Sequence, residues 1–75
     1  MEDKIRNTMA DILEIDGSSI GSDFAPDDTD SWDSLNNLRM ITALEEEFDV
    51  RLSMEDIHKM LNFQAIHDVI KSHVG

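Results

Sequence analysis

The chain has 75 residues, six of them Lys or Arg and 17 Asp or Glu, for a formal net charge of −11, and it has no cysteine. Folding a chain of this size buries roughly 60% of the surface that the unfolded form exposes, which predicts one small domain over residues 1–75 and argues against a deep catalytic cleft. The acidic balance opposes nucleic acid and anionic membrane and favours basic protein surfaces; the missing thiols exclude disulfides, thiolate metal sites and a cysteine nucleophile.

From Glu2 to about Ile15, Ile5, Met9, Ile12 and Leu13 fall on one face of a predicted first helix. Its start, MEDKIRNTMADILEI, lacks the continuous apolar core of a signal peptide. No segment is long enough to span a membrane, so a cytoplasmic location is expected. Asp16 to Asp33 contains Gly17, Gly21, Pro26 and many Asp and Ser residues. It reads as a long loop, pinned to the core by Ile20 and Phe24.

The best-patterned segment follows. Leu35, Leu38, Ile41, Leu44 and Phe48 recur at spacings of three and four, which predicts a buried face on a second helix from about Leu35 to Phe48, capped by Ser34 or Asp33. Ser53 with Asp56 three residues on opens a short third helix containing Met54, Ile57, Met60 and Leu61. Asn62 caps a fourth, running from Phe63 to about His73, that offers Phe63, Ile66, Val69 and Ile70 to the core. With no strand alternation and no repeat, the expected fold is all-α: four helices, a long loop between the first two, and a short third helix.

Ser34 stands where the loop becomes the second helix. Free backbone N–H groups and the positive end of the helix dipole favour an anion there, such as a phosphate ester. A serine before an apolar helix is also an ordinary N-cap, so position alone leaves both roles open. The run Asp33, Ser34, Leu35, the segment Ala43 to Phe48 reading ALEEEF, the acidic balance, the length and the helix order together resemble the acyl carrier proteins, which bear a 4′-phosphopantetheine arm. The resemblance covers nearly all of the chain.

It implies a four-helix carrier that is not itself an enzyme. Ser34 would receive 4′-phosphopantetheine from coenzyme A through a separate phosphopantetheinyl transferase, with Asp33 supporting the magnesium ion of that reaction. Acyl groups would be held as thioesters on the arm and passed between acyl-loading and acyl-accepting enzymes with basic surfaces. The pathway would be fatty acid, polyketide or related specialised biosynthesis, and the carrier a monomer. Leu35, Glu45 and Glu46 are implied partner contacts. Arg39 stands where relatives often place an acid, and Asn36 and Asn37 leave the helix start uncharged, which leans toward a dedicated pathway and partner. Trp32 and Asp33 replace the Gly-His or Gly-Asp of peptidyl carriers, favouring an acyl cargo over the alternative, an aminoacyl or peptidyl one. Ser31, in the near-repeat Asp30, Ser31, Trp32, lacks the helical pattern after it and reads as a loop residue.

Plainer readings accompany these. Trp32 could simply pack the loop, and Glu45 to Glu47 could be a solvated face. The loop acids Asp23, Asp27, Asp28 and Asp30 fail an EF-hand register because Ile20 falls where a side-chain oxygen is needed. His58, His67 and His73 lack the i, i+4 ligand spacing of zinc sites and are expected in solvent, with no metal site. A Ser-His-Asp hydrolase fails on size and on the missing glycine-flanked nucleophile. A competing class is a cofactor-free acidic helical adaptor that binds a basic protein directly.

Overall fold

Three longer segments carry an apolar stripe, and a fourth, short one is closed by its own reciprocal cap. In a computed structural model that describes residues 1–74, they form α1 (Glu2–Leu13), α2 (Ser34–Phe48), α3 (Met54–Lys59) and α4 (Phe63–Val74). No strand occurs among the described residues, so the all-α class holds. Ile5, Met9 and Leu13 of α1, Met40 and Leu44 of α2, and Phe63, Ile66 and Ile70 of α4 are fully buried in one apolar cluster. No described helix is long and apolar enough to cross a membrane.

The first helix ends at Leu13, short of the expected Ile15. Glu14 takes the left-handed conformation with φ of 55°, and the amides of Glu14 and Ile15 both return to the Ala10 carbonyl. Glycine normally fills such a position, because a side chain there is strained. Glu14→Gly is therefore expected to raise stability by about 0.5–1 kcal/mol, the relief of strain outweighing glycine's greater chain entropy. A denaturation midpoint that stays level or falls would contradict this.

The long loop from Asp16 to Asp33 holds two single 3₁₀ turns, Gly17–Ser19 and Pro26–Asp28. Asp16 Oδ1 accepts from the Ser18 amide at 2.9 Å, and Asp28 Oδ2 accepts from the Ala25 amide at 2.9 Å. Ile20 and Phe24 are buried as expected. The loop also closes the start of α4: the Phe24 carbonyl accepts from the Phe63 amide (2.8 Å), the Ser22 carbonyl accepts from the Gln64 amide (3.1 Å), and Asn62 Oδ1 takes the Ala65 amide (2.8 Å). Arg6 reaches from α1 to donate through Nε to the Ile20 carbonyl at 3.0 Å, its guanidinium 4.8 Å from the Phe63 ring centre. That one side chain touches α1, the loop and the start of α4 together.

The buried face assigned to the second helix is corrected. On α2 the buried side chains are Met40, Ile41 and Leu44, whereas Leu35 and Leu38 are 59% and 63% exposed. The helix carries overlapping apolar rows that share Ile41 and Leu44. The row through Met40 turns inward because Asn37, three residues earlier on that side, is engaged by the loop. The third helix ends at Lys59, so Met60 and Leu61, expected within it, lie past its end; Met54 and Leu61 are exposed and Met60 is buried. Six residues are too few to present a full apolar face.

The reciprocal cap of α3 forms as its sequence predicts, with Ser53 Oγ accepting from the Asp56 amide at 3.0 Å and Asp56 Oδ2 accepting from the Ser53 amide at 3.1 Å. Asp56 Oδ2 also lies 2.8 Å from His73 Nε2 on α4; His58 and His73 are exposed as expected, whereas His67 is half-buried. The His73 hydrogen bond, then the Ser53 amide, hold the Asp56 carboxyl below the usual range. A carboxyl depressed in the folded state adds stability above its unfolded pKa and loses it as pH falls through the folded value. Asp56→Asn is thus expected to lower the melting temperature at neutral pH and to shrink its drop between about pH 5 and about pH 2. Parallel pH curves for the two proteins would refute this role.

Candidate functional site

The site is built at the junction of loop and α2. Asp33 is the cap residue, extended in backbone, and its Oδ1 accepts from the Asn36 amide at 2.9 Å. Of the two caps the sequence allowed, Asp33 takes the role, and Ser34 becomes the first helical residue with an exposed side chain. The Ser34 hydroxyl makes no hydrogen bond among the described residues. Because Asp33 occupies the Asn36 amide, the earlier N–H groups of this turn remain for an incoming anion.

The approach to Ser34 is held by contacts that were not read from the sequence. Trp32, only 5% exposed, stacks on Phe24 with ring centres 5.8 Å apart, and its Nε1 donates to Asn37 Oδ1 at 2.9 Å. Asn36 Nδ2 donates to the Ser31 carbonyl at 2.7 Å. The two asparagines thus fold the last loop residues back against the first turn of α2, and Trp32 packs inward rather than facing partners. The available signal was weak helix formers placed directly after a cap, where side-chain amides bond nearby backbone. Ser31 is half-buried, its amide bonded to Thr29 Oγ1 at 3.3 Å, and its carbonyl is taken by Asn36.

Beside Ser34 lies an open cleft of about 560 Å³. It is lined by Pro26 of the loop, by Trp32, Asp33, Ser34 and Asn37 around the start of α2, and by Ile57, His58, Met60 and Leu61 of α3 and the segment after it. The cleft is largely apolar and begins at the serine, which suits a flexible chain tethered there. Leu35 and Arg39 are exposed on the outer side of α2, and Glu46 is exposed further along. Glu45 is different: its Oε2 accepts from the Leu52 amide at 2.8 Å, tying the segment after α2 back to the helix. Glu47 pairs with Lys4 at 3.4 Å. No cluster of three or more His, Asp or Glu suited to a metal ion occurs among the described residues.

Residues 3–70 match the family model described as the phosphopantetheine attachment site. The chain is also similar to an acyl carrier protein of Clostridium acetobutylicum, 34% identical over 71 residues that cover 95% of this chain and 92% of that one. The chain belongs to the acyl carrier protein family. Its cofactor is accordingly 4′-phosphopantetheine, held covalently, and its partners include a phosphopantetheinyl transferase and acyl-handling enzymes. The residues at the start of α2 fit that group: a hydroxyl open to solvent, free first-turn amides beside it for a phosphodiester, and an apolar cleft alongside. No carboxylate other than the capping Asp33 lines this cleft.

Proposed function

We propose that this acyl carrier uses Ser34 as its attachment residue and Asp33 as the support for the transferase's magnesium ion. The observation that carries the assignment is the division of labour at the start of α2: Asp33 does the capping, which leaves the Ser34 hydroxyl free and exposed beside an apolar cleft. No base of this chain is bonded to that hydroxyl among the described residues, so its activation falls to the transferase. Once in place, the arm supplies the thiol on which an acyl group is carried as a thioester.

The protein's own contribution is to anchor the arm on a rigid helix start and to meet partners. Tethering raises the local concentration of cargo at a docked enzyme. We assign it no catalytic step of its own and read it as a monomeric domain with the family's four-helix carrier arrangement, working in the cytoplasm. Its charge of −11 supports partners with basic surfaces, and Leu35 and Glu46 remain the natural contacts because both are exposed. Glu45 contributes less, being occupied by the Leu52 amide. The unusual α2 surface around Arg39 supports a dedicated fatty acid, polyketide or related pathway over a general one.

The test is intact mass after incubation with coenzyme A and a broad-specificity phosphopantetheinyl transferase. A gain of one phosphopantetheine per chain is expected. An unchanged mass would contradict the reading and leave an acidic helical adaptor in its place.

A further inference from the structure

The cleft beside Ser34 is lined by the apolar side chains of Pro26, Trp32, Ile57, Met60 and Leu61 and by four polar residues. Those four differ in what they have left to offer. Ser34 is the attachment point, the Asp33 carboxylate holds the Asn36 amide at 2.9 Å, and the Asn37 side-chain oxygen takes the Trp32 indole at 2.9 Å. His58, on α3, is exposed, and its ring makes no hydrogen bond among the described residues. The other two histidines each face a carboxylate of their own chain, His67 that of Asp68 at 3.4 Å and His73 that of Asp56 at 2.8 Å. Three and four positions along from His58 stand Glu55, Met54, Leu61 and Asn62, and Glu55 is already paired with Lys59 at 3.7 Å. One uncommitted imidazole thus stands in a lining that is otherwise apolar or engaged.

We infer that His58 is the residue by which this carrier selects its cargo, and that the cargo it favours is a short hydroxyacyl group whose hydroxyl meets the imidazole in the cleft. The inference rests on the carrier reading and deepens it by naming the cargo's chemistry. In sites of this kind the apolar walls hold a ligand and the few polar groups discriminate. Apolar contact stabilises in proportion to the area removed from water, and an open cleft leaves one side of an alkyl chain wet, so added length contributes little. A hydroxyl both donates and accepts, so it pairs with an imidazole whichever ring nitrogen carries the proton. A carboxylate cargo is disfavoured, because the Asp33 carboxylate lines the same cleft and the chain carries a charge of −11.

The test loads the chain with the acylated arm directly from butyryl-, 3-hydroxybutyryl-, octanoyl- and succinyl-coenzyme A through the broad-specificity transferase, and follows the loss of each acyl group to hydroxylamine by intact mass. The hydroxylamine nitrogen displaces the sulfur of the arm, giving a hydroxamate and the free thiol. Each rate is divided by that of the same coenzyme A thioester, which removes intrinsic reactivity. After that correction, 3-hydroxybutyryl is expected to leave the wild-type chain at least about threefold more slowly than butyryl, the protection given by one neutral hydrogen bond. His58→Leu should erase the difference and His58→Gln should keep part of it, with circular dichroism confirming equal folding. Equal corrected rates for butyryl and 3-hydroxybutyryl would overturn the inference, as would a difference that survives in His58→Leu. Slowest loss of octanoyl would mean that chain length governs the cleft, and slowest loss of succinyl that an anion does; either would overturn it too. A chain that takes up no arm would instead sink the carrier reading on which the inference rests.

Discussion

Trp32→Ala is expected to destabilise the fold by about 3–5 kcal/mol, the range for truncating a large buried aromatic. The indole is buried, stacked on Phe24 and hydrogen-bonded to Asn37, so its removal opens a cavity and leaves the Asn37 oxygen without its donor. Small domains have only about 5–15 kcal/mol in total, so the loss is a large fraction of it. The damage should also be local to function. Trp32 precedes the capping Asp33 by one residue, and without the indole the loop loses its grip on the first turn of α2. Urea denaturation gives the stability change, and modification by the transferase should slow in the variant even where it remains folded. Trp32→Phe, which keeps a ring on Phe24 but not the Asn37 bond, should fall between the two. A Trp32→Ala midpoint close to wild type would mean that the loop is held chiefly by Phe24, Ile20 and Arg6.

Ser34→Ala is expected to abolish phosphopantetheine attachment altogether while changing stability by less than about 0.5 kcal/mol. The small structural effect follows from the cap: the oxygen that bonds the Asn36 amide belongs to Asp33, and the Ser34 hydroxyl bonds nothing among the described residues. Alanine is moreover the best helix former at an exposed position. Asp33→Ala should behave in the opposite way, costing about 1 kcal/mol through the lost cap and slowing modification without removing the acceptor. Attachment that persists in Ser34→Ala would move the site elsewhere.

Much of the fold was legible because its signals are local. Ser53 with Asp56, and Asn62 before Phe63, announce their caps within a span of four residues, and the fourth helix has a single apolar row to bury. The second helix was harder because it offers two rows that share Ile41 and Leu44. Choosing between Leu38 and Met40 depends on the hydrogen bond from Trp32 to Asn37, a contact the one-letter pattern does not display. The same limit hid the sense of the two asparagines, whose absence of charge was visible while their bonds to Ser31 and Trp32 were not. At the site, the triplet Asp33, Ser34, Leu35 was legible as a junction, and the structure divides its work between cap and free hydroxyl. The long-range ties, Arg6 to Ile20 and Asp56 to His73, join residues 14 and 17 positions apart and carry no periodic signature at all.

The central claim is that the arm is joined to Ser34 through the hydroxyl that capping leaves free. Ser31 offers a second hydroxyl three residues earlier, beside its own aspartate, which makes the choice between them decisive. The measurement is fragment mass mapping of the peptide spanning residues 30–38, taken from protein loaded by the transferase with coenzyme A. The account predicts that every fragment containing Ser34 carries the added phosphopantetheine mass and that fragments containing Ser31 without Ser34 do not. Added mass on Ser31, or on a fragment that excludes Ser34, would contradict it.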